Sequence, residues 1–196
     1  SYDLAVWYLT WDNFQATVSE PLFSGLANAS GGITGKGAEG SFTLTPVVGL
    51  SIISSFAYTE STLNENEATI DGLKGQQLPF VPQWTFSSRA NYAFSLNADM
   101  DANIGLGVRY EDSSRSAFMD GGTFDTWFNI PTDSYVVVDL NAGVNWDNIS
   151  LNLYATNLLN KAAMTSTSSL NPVFGQSATG VPLKPRTIGA SLSFDF

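Results

Sequence analysis

The sequence predicts an all-β protein, an antiparallel up-and-down sheet of about eight strands suited to a transmembrane β-barrel. Three observations carry that expectation. Apolar and polar residues alternate with period two along much of the 196-residue chain. The connections between the alternating segments are short and long in turn. The chain closes on PRTIGASLSFDF, Pro185 to Phe196, where Ile188, Ala190, Leu192, Phe194 and Phe196 share one face against Gly189, Ser191, Ser193 and Asp195. A terminus in water usually frays, whereas aromatic residues collect at the rims of membrane barrels.

Taken in order, Tyr2 to Val18 is rich in aromatic and β-branched residues and free of Gly and Pro, so it is expected as one long strand. Its phase is open, because either Leu4, Val6 and Tyr8 or Ala5, Trp7, Leu9 and Trp11 could face outward. Glu20 to Gly37 is expected as loop. Ala38 to Thr45 and Leu50 to Thr59 are strands around a Pro46–Gly49 turn, with Phe42, Leu44, Leu50, Ile52, Phe56 and Tyr58 on the apolar side. Glu60 to Gln83 is a long polar loop. Trp84 to Ser95 and Ala102 to Glu111 follow, joined by a short connection at Leu96 to Asp101. Asp112 to Asp133 is a third long loop. Tyr135 to Trp146 and Ile149 to Thr156 form a hairpin on Asp147-Asn148. Asn157 to Lys184 is the last long loop. No segment reads as a helix.

In an antiparallel meander, alternate connections emerge at opposite ends. One end of the sheet is therefore trimmed and the other carries large polar loops, as in barrels with short periplasmic turns and long extracellular loops. Trp146, Phe94, Phe194 and Phe196 fall at the trimmed end; Tyr58, Trp84 and Tyr110 fall at the loop end. They bracket an aliphatic middle like two interfacial girdles. Arg89, Arg109, Asp139 and Asp195 fall on the polar side, which a lipid-facing outer surface requires.

Composition narrows the chemistry. The formal charge of −10 argues against nucleic acid as a partner. With no cysteine there is neither a disulfide framework nor a thiolate metal site, and with no histidine the commonest general base and metal ligand are missing. No apolar run approaches the roughly 18–20 residues of a membrane helix, but transmembrane strands evade that criterion. No nucleophile–base pair sits on defined elements, so neither catalysis nor a cofactor is expected. The opening Ser1-Tyr2-Asp3-Leu4 already has a strand-like pattern, and the chain is expected to lack its true N-terminus.

Several ordered motifs carry a family resemblance. Asn157-Leu158-Leu159-Asn160-Lys161, a long loop, and then Pro185-Arg186 running to Leu192 and a terminal Phe resemble the C-terminal end of TonB-dependent outer-membrane receptors. Gly37-Ala38-Glu39-Gly40 with Pro46 and Leu50, Leu78-Pro79-Phe80-Val81-Pro82-Gln83-Trp84, and Asp133-Ser134-Tyr135 through Leu140 resemble further family segments in the right order. The resemblance implies about eight C-terminal strands of a barrel of about 22, spanning residues 1–196, with the plug domain and earlier strands absent. It also implies a Gram-negative outer-membrane location and active uptake of a scarce nutrient, often a ferric siderophore. The partners implied are outer-membrane lipid, a small nutrient or metal chelate, the TonB complex through the plug, and the barrel-assembly machinery. That machinery would read the C-terminal aromatics Phe194 and Phe196.

Phe118, Phe124, Trp127 and Phe128 are candidates for an aromatic ligand patch, or else they pack their loop on itself. Arg115 is a candidate contact for an anionic chelate. Glu60, Glu65, Glu67 and Asp71 either offer oxygens to Ca²⁺ or form a solvated acidic loop. Gly105 and Gly107 either leave space for a plug or sit in a strand with little inward packing. Two other architectures remain open: a self-contained eight-stranded outer-membrane barrel, and a soluble lipocalin-like module with its apolar faces turned inward around a ligand.

Overall fold

A computed structural model describes residues 1–20, 23–118, 130–170 and 177–195. Its strands are β1 (Tyr2–Trp11), β2 (Phe14–Glu20), β3 (Phe23–Ala29), β4 (Ile33–Leu44), β5 (Leu50–Leu63), β6 (Trp84–Asn97), β7 (Met100–Glu111), β8 (Tyr135–Trp146), β9 (Ile149–Thr156), β10 (Met164–Leu170), β11 (Ser177–Pro182) and β12 (Thr187–Phe194). Eight of them form one sheet in the order β1-β4-β5-β6-β7-β8-β9-β12, antiparallel throughout. The pairs β2–β3 and β10–β11 are separate two-stranded hairpins.

The register joins the alternating stripes into one surface. Leu4 pairs with Gly40, Gly40 with Phe56, Phe56 with Phe86, Phe86 with Tyr110 and Tyr110 with Val136. Lower on the same face, Ala90 pairs with Leu106, Leu106 with Leu140, Leu140 with Ala155 and Ala155 with Ile188. Arg89, Gly107 and Asp139 lie together on the opposite face. The phase of β1 is settled by this ladder. Leu4, Val6 and Tyr8 belong to the apolar face, whereas Trp7 lies opposite, against Gly37.

Four expected boundaries change. Tyr2 to Val18 is two strands, broken at Asp12-Asn13, where Asn13 takes φ 50; Asn tolerates that left-handed turn better than most residues. The expected loop Glu20 to Gly37 holds β3 and the start of β4. β5 runs on from Thr59 to Leu63, and the expected loop Asn157 to Lys184 contains β10 and β11. FSGLANA and SATGVP carry few β-branched or aromatic residues. Their pairing is a backbone matter, which needs no side-chain alternation. Among the described residues the single helical segment is a 3-10 turn, Ala68–Ile70.

The two alternative architectures do not match this sheet. It ends at β1 and β12, which do not pair with each other, so it is open and not a closed eight-stranded barrel. The lipocalin-like reading needs Leu106, Leu140 and Leu192 sealed inside; they are 45%, 37% and 56% exposed.

Within the sheet, hydroxyls, amides and glycines interlock. A Cβ on Gly105 would run into the side-chain oxygens of Asn91 and Asn141. One on Gly143 would meet Asn152 at 2.6 Å and Asn103 at 2.8 Å. At Gly105 and Gly143 the missing side chain lets neighbouring polar side chains approach closely across the polar face, so packing there is tight and not sparse. At the Pro46–Gly49 turn, Gly49 has φ 85 and accepts the Ala93 N–H at 2.9 Å. A hydrophobic cluster lies at the long-loop end, where β4 and β5 meet the β2–β3 hairpin. Phe14, Ala29, Ile33 and Leu63 are buried there, with Ala16, Ile70, Leu78 and Phe118 packed against them. Full burial of Ile33 or Leu63 stabilises that end by about 1.5–3 kcal/mol each.

Candidate ligand-facing site

The segment leading into β6 climbs beside the end of β5. Leu78 N–H donates to Ser61 carbonyl at 2.8 Å and Thr59 N–H to Gln83 carbonyl at 2.9 Å. On its other side, Phe80 N–H donates to Arg115 carbonyl at 2.7 Å and Asp112 N–H to Trp84 carbonyl at 2.9 Å. Between the two lies a cleft of about 260 Å³ lined by Gln77, Leu78, Val81, Gln83, Asp112, Ser113, Ser114, Arg115 and Pro131. Its polar groups are held in place. Gln77 accepts the Ser61 N–H at 3.0 Å and donates to Thr59 carbonyl at 3.3 Å. Asp112 Oδ1 accepts the Ser113 N–H at 2.9 Å and the Tyr110 hydroxyl at 3.3 Å. Ser114 N–H donates to Thr132 Oγ1 at 2.9 Å.

The residues anticipated as a patch part company. Arg115 lines the cleft. Phe118, three positions on, packs instead against the buried cluster. Phe124, Trp127 and Phe128 lie outside the described residues, as does Phe196. Phe194 is on β12, opposite Ile149 on the apolar face. The aromatic residue that sequence reasoning passed over is Phe80. It is 55% exposed and takes φ 61, a conformation that costs a bulky side chain about 1–3 kcal/mol. The visible signal was an aromatic residue bracketed by Pro79 and Pro82 in a polar loop.

The acidic loop does not gather into one site. Glu60 pairs with Lys36 at 3.0 Å and accepts the Tyr58 hydroxyl at 2.8 Å. Glu67 is buried and accepts the Gly31 N–H. Among the described residues, no three acidic side chains converge as a metal site.

The Lys36–Glu60 pair also marks the upper edge of the apolar face. One layer below it, Tyr58 and Trp84 meet across strands with ring centroids 4.7 Å apart and planes tilted by 49°. The lower edge is at Phe94, Trp146 and Phe194. On β8 the apolar face runs from Val136 to Trp146. Those ten steps make about 33 Å of strand, or about 25 Å of height at a tilt near 40°, the thickness of a barrel's apolar band.

At the loop base, Asn157 ties four chain segments together. It is 4% exposed, at φ 48. Its backbone N–H donates to Asp139 Oδ1 at 2.8 Å, its Nδ2 to Lys161 and Lys184 carbonyls at 2.9 Å each, and its Oδ1 accepts the Lys161 N–H at 2.9 Å. Asn160 Oδ1 accepts the Arg186 N–H at 3.1 Å. The NLLNK and PR motifs are thus two halves of one clamp.

An open, eight-stranded antiparallel wall with one apolar face, two aromatic edges and loops massed at one end is a portion of a transmembrane β-barrel. Residues 1–158 match the family model described as TonB dependent receptor-like, beta-barrel, and the chain belongs to that family. Solved structures agree on the fold. The ferric yersiniabactin uptake receptor FyuA from Yersinia pestis is 19% identical with a TM-score of 0.75, the match covering 100% of this chain and 27% of that one. The siderophore receptor PiuA from Acinetobacter baumannii is 18% identical, TM-score 0.73, with 98% and 26% covered. The copper transporter OprC is 16% identical, TM-score 0.65, with 100% and 28% covered. This chain therefore spans about a quarter of the length of these proteins.

Proposed function

We propose that this chain is the C-terminal portion of the barrel of an outer-membrane TonB-dependent receptor, in a Gram-negative bacterium, that takes up a ferric siderophore. The observation that carries the reading is the continuous apolar face, continued across all eight strands, in a chain of this family. Similarity to siderophore receptors supports the choice of substrate class. In this reading the plug and the earlier strands belong to the rest of the protein, and the plug carries the contact with the TonB complex. Phe194 and Phe196 serve recognition by the barrel-assembly machinery. Arg115, with Phe118, Phe124, Trp127 and Phe128 from the same loop, belongs to the extracellular, ligand-facing end. The role is transport and not catalysis.

Two measurements test the reading. Cells that depend on the full-length protein should accumulate radioactive iron supplied as a siderophore complex, and should stop when the energising TonB complex is deleted. Uptake of no ferric siderophore, or uptake indifferent to TonB, would remove the transport assignment. Nitroxide labels at Val138 and Leu153 should collide freely with oxygen dissolved in the bilayer, because both residues lie on the apolar face. Labels shielded from lipid would show that the face is turned the other way.

A further inference from the structure

The Asn157 clamp gathers charge as well as chain. The sequence has 8 Lys and Arg against 18 Asp and Glu, yet three of the cations meet at this one knot. The Lys161 and Lys184 carbonyls share the Asn157 Nδ2 at 2.9 Å each, and the Arg186 N–H donates to Asn160 Oδ1 at 3.1 Å. The Arg186 Nη1 reaches the Leu158 carbonyl at 3.5 Å, so the guanidinium lies against the same turn. Lys161, Lys184 and Arg186 are all exposed. Among the described residues none of the three is in an ion pair, whereas Lys36 is matched by Glu60. The carboxylate bonded to the knot, Asp139, accepts the Asn157 backbone N–H and belongs to the polar face. Like charges held this close repel one another, and an anion from outside the wall would relieve them.

The position of the knot says which anion. Ile188 is the uppermost apolar-face residue of β12, opposite Ala155, and is 73% exposed. Arg186 stands two positions before it, on the same side by the alternation that governs β12. Leu159, within the knot, is 65% exposed. Cations beside exposed aliphatic residues at the rim of an apolar band lie where lipid head groups meet acyl chains. The long stems of Lys and Arg suit that depth, with the charge among the head groups and the methylenes against the apolar surface. A small free anion would gain nothing from Leu159 and Ile188.

We propose that Lys161, Lys184 and Arg186 form a docking site on the outside of the wall for the phosphate groups of a phosphorylated glycolipid in the outer leaflet, whose acyl chains run down over Leu159 and Ile188. The site is built where the chain leaves β9 and enters β12, not on the segments that frame the cleft at Arg115. It rests on the uptake reading only for which end of the wall is outermost.

The full-length receptor in detergent is titrated by thermophoresis with bisphosphorylated lipid A, with phosphate-free lipid A and with inorganic phosphate. The wild type should bind the bisphosphorylated lipid at least tenfold more tightly than either of the others. Lys161→Gln, Lys184→Gln and Arg186→Gln should each weaken that binding about fivefold, and the triple variant about a hundredfold, the factor expected of single cations at an anionic surface. Lys74→Gln, at an exposed cation of the segment between β5 and β6, should leave the affinity unchanged. The clamp is made with the backbones of Lys161, Lys184 and Arg186, so the substituted receptors should keep the wild-type melting temperature. If the triple variant melts lower, the single variants decide by the same criterion. Equal affinity for the lipid with and without phosphates overturns the proposal, and so does wild-type affinity in the substituted receptors. Inorganic phosphate bound as tightly as the lipid overturns it too, since the site would then hold an ion and not a lipid. Ferric siderophore uptake alongside phosphate-blind lipid binding would sink this site and leave the uptake reading standing. Phosphate-dependent lipid binding in a receptor that takes up no ferric siderophore would do the reverse.

Discussion

Asn157→Ala should destabilise the barrel wall by about 2–4 kcal/mol. Three side-chain hydrogen bonds vanish together, to the Lys161 and Lys184 carbonyls and from the Lys161 N–H. Each is worth about 1 kcal/mol, more where the abandoned partner stays dry. Alanine must also hold φ 48, which costs a further 1 kcal/mol or so. Asn157→Gly should recover the backbone part alone. Thermal unfolding in detergent reads the total. Limited proteolysis between Lys161 and Lys184 reads the mechanism, because an unclamped loop should be cut faster. A melting curve for Asn157→Ala that overlays the wild type would mean that the clamp holds nothing the rest of the sheet does not hold already.

The second large effect distinguishes two neighbouring residues. Leu140 and Asn141 lie near the middle of β8, on opposite faces. Leu140→Arg puts a charge among acyl chains near the midplane and should cost about 2–4 kcal/mol. Asn141→Arg extends into the polar side, beside Asn91 and Gly105, and should cost well under half as much. Urea unfolding from lipid vesicles measures the difference, and the amount of each variant reaching the outer membrane should follow it. Greater damage from Asn141→Arg than from Leu140→Arg would show that the two faces have been assigned the wrong way round.

The faces of β5 to β9 and β12 were legible along the chain because each is polar on one side and apolar on the other. Such a strand pays a large penalty for a one-residue slip, so its pattern and its register agree. The loop asymmetry was legible for the same reason, since strands marked this clearly leave the connections as remainders. Strands β3, β10 and β11 were not, because they are rich in small and polar residues joined by backbone hydrogen bonds, and the burial of Phe14 and Ala29 depends on their meeting Ile33 and Leu63. The long-loop end was legible only in part. Arg115 does line a cleft, but Phe118 turns into the hydrophobic cluster and Phe80 takes the exposed place. Burial depends on which loops meet, and no local pattern encodes that meeting.

Alternation along the strands is a property of consecutive residues, and it was enough to establish an antiparallel wall, greasy on one side. β1 shows where that logic stops. With Leu4, Val6 and Tyr8 on one side and Ala5, Trp7, Leu9 and Trp11 on the other, either phase buries comparable apolar surface. Pairing with β4 broke the tie, because Trp7 fits only where Gly37 leaves room and Leu4 where Gly40 does. Long-range contact likewise put the Phe80 backbone against Arg115 and joined the two ends of the 157–184 loop at Asn157, since both depend on segments brought together only by folding.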